Sequence, residues 1–122
     1  MEVLASRVLL HPVDMQRSVA FYRDVLGLAV AREFPGGTVF FLGGGFLELS
    51  GRAAGPPGDA IGLWLQVRDL AAAHRELAGY VVREPRQEPW GLREMWIADP
   101  GGTRIVLVQV PEDHPIRRDT RQ

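Results

Sequence analysis

His11, Glu48 and Glu94 are the side chains of this 122-residue chain best suited to proton chemistry. An imidazole that titrates near neutral pH, set beside a carboxylate, takes and returns a proton without a metal. His11 is therefore the candidate catalytic residue, with Glu48 or Glu94 as its partner. Trp64, Trp90 and Trp96 offer a different chemistry. Flat aromatic walls hold planar or sugar-bearing ligands, and stacking adds about 0.5 to 1.5 kcal/mol beyond the area buried. Glu48 and Glu94 suit a cationic ligand, whereas Arg86 and Arg104 suit an anionic one, and the sequence leaves both open. His74 reads as a solvated helix residue and His114 as part of a polar tail. No Ser-His-Asp arrangement, phosphate-cradling loop or dinucleotide fingerprint is present, because Gly43-Gly44-Gly45 leads into a strand rather than a helix.

Composition narrows the field. The chain has no cysteine, which excludes a disulfide scaffold, a zinc knuckle and a thiol nucleophile. No apolar run approaches the about 20 residues that a membrane span needs, and no basic segment followed by an apolar one opens the sequence. A soluble, cytoplasmic protein with no membrane partner is expected. All 14 basic residues are arginine, but they are scattered and the net charge is -1, so a phosphate-tracking stripe is missing and nucleic acid is not an expected partner. The length fits one domain, or two modules of about 55 residues, each marginal alone and needing a shared core or a dimer.

These residues sit on a repeat. Asp14 and Asp69, 55 positions apart, each read as the N-cap of an amphipathic helix. Met15, Val19, Tyr22 and Leu26 keep a helical period up to Gly27, and Leu70, Ala73 and Leu77 keep it up to Gly79, each glycine being the expected stop. A strand precedes each helix, at 7–11 and 61–67. Three strands follow, at 28–34, 38–42 and 46–49 in the first half and at 80–84, 92–98 and 104–107 in the second. The expected fold is α+β: a 5–50 module written strand, helix, three strands, a linker over 51–60 rich in Gly, Pro and Ala, a second such module over 61–110, and a polar tail over 111–122. That tail, with Glu112, Asp113, Arg117, Arg118, Asp119 and Arg121, is expected to face solvent or pack along a partner subunit.

Alternation along the strands sorts the faces. Val8, Leu10, Leu47, Leu49, Ile61, Leu63, Leu65, Val67, Met95, Ile97, Ile105 and Leu107 fall on the side that should pack under the helices. Arg7, His11, Glu48, Trp64, Gln66, Glu94, Trp96 and Arg104 fall on the other, with Trp90 in the loop before the seventh strand. Charge, amide and large aromatics mixed on one face are the makings of a ligand cleft. The nine residues just named are the candidate ligand-binding set.

The stretch Val13-Asp14-Met15-Gln16-Arg17-Ser18-Val19-Ala20-Phe21-Tyr22-Arg23-Asp24-Val25-Leu26-Gly27 resembles the first-helix signature of the vicinal-oxygen-chelate superfamily, the glyoxalase, bleomycin-resistance and dioxygenase group. Trp90-Gly91, followed by Ala98-Asp99-Pro100-Gly101-Gly102-Thr103-Arg104-Ile105-Val106-Leu107, resembles its closing segment. The resemblance implies two βαβββ modules whose mixed sheet curls into a cup, completed by a homodimer or by pairing of modules within one chain. It also implies metal ligands on the first and last strands of each module, and at those positions stand Arg7, Glu48, Gly62 and Val106. Glu48 alone could ligate, and a divalent ion in such a site needs about three protein ligands. No cofactor is expected, a divalent metal being the less favoured alternative. Arg7 and Glu48 are instead expected to pair with each other where their counterparts share an ion. The leading expectation is a metal-independent binder of an antibiotic or metabolite, similar to bleomycin-resistance proteins. The rival is an enzyme of the same fold, of the glyoxalase or dioxygenase kind, using His11 and Glu48.

Overall fold

The computed structural model describes residues 1–120, with side chains through residue 117. Its first unit runs from Met1 to Gly58 and includes Asp99–Gly102; its second comprises Asp59–Ala98 and the chain from Thr103 onward. The first unit holds β1 (Val8–Leu10), α1 (Met15–Ala20), β2 (Val30–Phe34), β3 (Gly37–Leu42) and β4 (Gly45–Ser50). The second holds β5 (Gly62–Gln66), α2 (Leu70–Glu76), β6 (Val81–Gln87), β7 (Arg93–Ala98) and β8 (Arg104–Gln109). Each set forms a four-stranded mixed sheet, ordered β1-β4-β3-β2 and β5-β8-β7-β6. Only the β1 and β4 pair and the β5 and β8 pair are parallel, and in each the chain between the two strands includes the helix and the two other strands of the module. The fold is α+β with two βαβββ modules.

Both helices start where the caps require. Asp14 accepts from the Arg17 amide and Asp69 from the Ala72 amide, each at 3.1 Å, satisfying one of the amides that a helix start leaves unpaired. Beyond α1 the chain widens into a π-helical stretch, Phe21–Val25. Two consecutive residues of this stretch, Phe21 and Tyr22, lie buried. Gly27 ends the run at a φ of 71°. Gly79 does not act as the matching stop: α2 gives way at Leu77 to a 3₁₀ turn, Ala78–Tyr80, and Gly79 is not among the left-handed glycines.

Alternation places the core. Leu47, Leu49, Leu63, Met95, Ile97, Ile105 and Leu107 are buried, as the period of two requires. Ile61 and Val8 depart from it: Ile61 lies one residue before β5 begins and is 62% exposed, and Val8 sits on a three-residue edge strand, 36% exposed. The sixth strand extends to Gln87 rather than stopping at Glu84. It carries Pro85 on the sheet's edge, where the register slips between Arg83 and Arg86 because proline has no amide to donate.

The tail is not simply solvated. His114, Ile116 and Arg117 fold back on the second unit: Ile116 packs on Leu92, Val108 and Val110, and Arg117 donates to the Val110 carbonyl at 2.5 Å. Val108 is consequently fully buried on a face expected to be open. Of the tail charges, Arg121 and the side chains of Arg118 and Asp119 lie outside the described residues.

Candidate functional site

On the open face of the first sheet, β1 and β4 set Leu9 against Glu48, and Arg7 reaches over to that carboxylate. The expected pair forms: Arg7 Nη1 donates to Glu48 Oε1 at 2.8 Å. The Ser50 hydroxyl donates to the other oxygen at 2.9 Å. The Ser50 bond, and then Arg7, hold the Glu48 carboxyl below the usual carboxylate range, so it stays ionised with both oxygens engaged. A group fixed in that state is a poor proton carrier. His11 lies 2.7 Å, through Nδ1, from the Ser50 carbonyl. A carbonyl only accepts, so Nδ1 carries the proton and Nε2 of the neutral ring keeps its lone pair.

The second sheet presents a different surface. Across it, Trp64, Val106 and Trp96 stand in register on β5, β8 and β7, and Arg83 on β6 continues the row. Trp96 is flanked by two guanidinium groups, with Arg83 Cζ 4.4 Å and Arg104 Cζ 4.9 Å from its ring centroid, within cation–π range. Glu88, 3% exposed, accepts from Arg83 at 2.6 Å and from Arg86 at 3.0 Å. Burial works to raise its carboxyl, but the two arginine bonds outweigh it and the group lies below its ordinary range. Trp90 donates its indole N–H to Glu94 at 2.7 Å, and the His114 Nε2 bonds to the Trp90 carbonyl at 2.9 Å. His114 thus ties the tail to the loop bearing Trp90, which corrects its reading as a solvated residue.

The sequence-derived residues therefore form two groups. Arg7, His11 and Glu48 cluster with Ser50 on the first sheet, and Trp64, Trp90, Glu94, Trp96 and Arg104 share the second, with Gln66 exposed at the end of β5. Arg83 and Glu88 were not foreseen. Arg83 follows from register, as the neighbour of Trp96 across the β6 and β7 ladder, whereas Glu88 lies in a loop whose course no periodicity reveals. His74 is a solvent-accessible helix residue that lies 3.0 Å from Glu84, beside an open depression of about 370 Å³ between α2 and the sheet edge.

A metal does not fit the positions at which the family resemblance implies ligands. Arg7 is committed to Glu48, and a Cβ placed on Gly62 would lie 3.2 Å from Arg104 Nε, so an arginine lies over the place where a ligand at 62 would project. A fixed guanidinium repels a cation there. Among the described residues, no three of His, Asp and Glu gather to hold an ion. No described helix is long and apolar enough to cross a membrane.

The two stretches quoted above for their family resemblance meet. The Tyr22 hydroxyl donates to Asp99 at 2.6 Å, in the buried interior of the first unit, and Asp99 also accepts from the Gly101 amide at 3.0 Å. Burial, and then the Asp99 charge and hydrogen bond, keep this phenol neutral far beyond its ordinary range. Comparison with solved structures gives the same architecture. A glyoxalase/bleomycin resistance protein/dioxygenase from Nocardioides superposes with a TM-score of 0.77 at 19% identity, over 94% of this chain and 89% of its own. A protein of unknown function from Agrobacterium tumefaciens reaches 0.75 at 22% identity, over 91% and 95%. A lactoylglutathione lyase from the same organism reaches 0.67 at 22%, over 89% and 94%. No curated protein matches. The family model described as Glyoxalase/Bleomycin resistance protein/Dioxygenase superfamily matches residues 6–107, and the chain belongs to that superfamily.

Proposed function

We propose that this protein is a metal-independent binder of a small molecule, an antibiotic or a metabolite, held against the aromatic face of the second sheet. The observation that carries the reading is the exchange of a coordinating position for a guanidinium: Arg104 lies over Gly62 and against Trp96. Trp64 and Trp90, 45% and 57% exposed, add apolar surface that a ligand would cover. We place it in the cytoplasm as a homodimer, in which the half-exposed Leu9 and Phe41 of the first sheet become buried. Protein purified without chelator should carry well under one divalent ion per chain, and candidate ligands should quench tryptophan emission without being turned over. Stoichiometric metal, or turnover, overturns the reading, and light scattering at the monomer mass removes the dimer.

A second reading has one observation in its favour. With Nδ1 fixed on the Ser50 carbonyl, His11 presents Nε2 as a base. An enzyme of the glyoxalase or dioxygenase kind that works without the family's metal set would use that atom. Loss of a substrate's turnover in His11→Gln, with its binding kept, would favour this reading over the first.

A further inference from the structure

Among the described residues, three hydrogen-bond donors on the second sheet are buried without an acceptor: Arg83 Nε, Trp96 Nε1 and Arg104 Nε. They belong to the same stack, in which both guanidinium groups lie against the Trp96 indole. Donors withdrawn from water and left unpaired carry their desolvation cost uncompensated, and native proteins leave few of them. Three in one cluster mark a place that an acceptor would stabilise.

The charges around the stack say what kind of acceptor. Glu88 is shared by Arg83 and Arg86, and one oxygen of Glu94 is taken by Trp90. Arg104 has no carboxylate partner among the described residues; its guanidinium donates from Nη2 to the Asp59 carbonyl at a long 3.4 Å. Of the three arginines named on this face, Arg104 is the one with no carboxylate bonded to it among the described residues. A guanidinium offers a fork of donors that matches a carboxylate.

The neighbourhood sets the rest of the ligand. Trp64 stands across Val106 from Trp96, two strands away and hence about 9.6 Å at a spacing of about 4.8 Å per strand. Trp96 is occupied by the arginines, but Trp64 is free to stack and Val106 makes an apolar floor between them. A flat ring lying on Val106 against Trp64 would turn a carboxylate substituent toward Arg104 and the Trp96 indole N–H.

We propose that the open face of the second sheet binds a flat, singly anionic ligand of the aromatic-carboxylate class, with its carboxylate at Arg104 and Trp96 and its ring against Trp64. The proposal rests on the binding reading above and adds the sign of the ligand's charge. Benzoate, benzamide and benzamidine share one ring and differ in charge, so they separate the two claims. In a titration followed by tryptophan emission and by indole N–H resonances, assigned with Trp96→Phe, benzoate should bind about tenfold tighter than benzamide, the worth of one charge-assisted contact, and benzamidine weakest. The Trp96 indole proton should move downfield with benzoate alone. Arg104→Gln should bring benzoate down to the benzamide level, removing its preference over the neutral ring. Arg104→Met serves as the second variant, with circular dichroism to verify folding. If benzamide or benzamidine binds as well as benzoate, the anionic assignment fails and the binding reading stands. If none of the three perturbs a tryptophan at millimolar concentration, both fall.

Discussion

The open faces of the two sheets share a topology and differ in how completely their charges are closed. On the first, Glu48 spends one oxygen on Arg7 and the other on Ser50. On the second, one buried glutamate serves two arginines, and a third, Arg104, rests on an indole with its Nε unpaired among the described residues. Repetition of the fold has thus not repeated the chemistry. A closed set of charges needs no visitor, and an open one does, which is why the ligand is assigned to the second sheet although both faces carry polar side chains.

The same contrast runs through the interiors. Tyr22 in the first module and Leu77 in the second stand 55 residues apart, at equivalent points of the repeat, and both are buried. Leu77 contributes packing alone, so Leu77→Ala should cost about 2 to 5 kcal/mol through lost contacts and a cavity. Chemical denaturation would check it, and a loss under 1 kcal/mol, on the order of a surface substitution, would show that the site collapses. Tyr22→Phe keeps the ring and removes only the bond to Asp99. Its expected cost is about 1.5 to 3 kcal/mol, the range for hydrogen bonds to charged groups, and a neutral result would mean that Asp99 is satisfied by its backbone donors. A smaller effect tests the closed pair. Arg7→Ala should lower the melting temperature more than Arg7→Met combined with Glu48→Leu, because the single change strands a carboxylate and the double change leaves no charge behind. The reverse order would mean that the two groups act separately.

The smallest effect concerns acid. Glu48 and Glu88 both have folded-state values lowered by their partners. Their contribution is therefore complete above the ordinary glutamate value of about 4.3 and is lost as pH falls through the depressed folded value. Stability should fall below about pH 4. Glu88→Gln should flatten that dependence, and an unchanged acid limb in the melts would show that other carboxylates dominate.

Much of this was legible in the residues. The aspartate caps, the βαβββ repeat and the open-face positions of Arg7, Glu48, Trp96 and Arg104 follow from local chemistry and from a period of two or 3.6, both written along the chain. The pair between Arg7 and Glu48 was accessible because the family resemblance puts both at positions that it implies share one ion. The partners that escaped notice depend on interruptions of period. Glu88 lies past the slip at Pro85, and the tail turns back through His114 and Ile116, whose polar surroundings gave no sign of a packing surface. Gly79 looked like Gly27, but α2 had already ended two residues earlier, at Leu77, so no left-handed turn was needed.

The bond from Tyr22 to Asp99 bears on how the molecule can be divided. The turn Asp99–Gly102 interrupts the second half of the sequence and yet belongs to the first compact unit. A gene cut between codons 58 and 59 would yield a leading fragment whose buried phenol has lost its acceptor, and a trailing fragment whose last hairpin carries residues that another body needs. Neither piece should persist by itself, whereas the two produced in one cell should rescue each other. The chain's halves are copies in outline and dependants in practice.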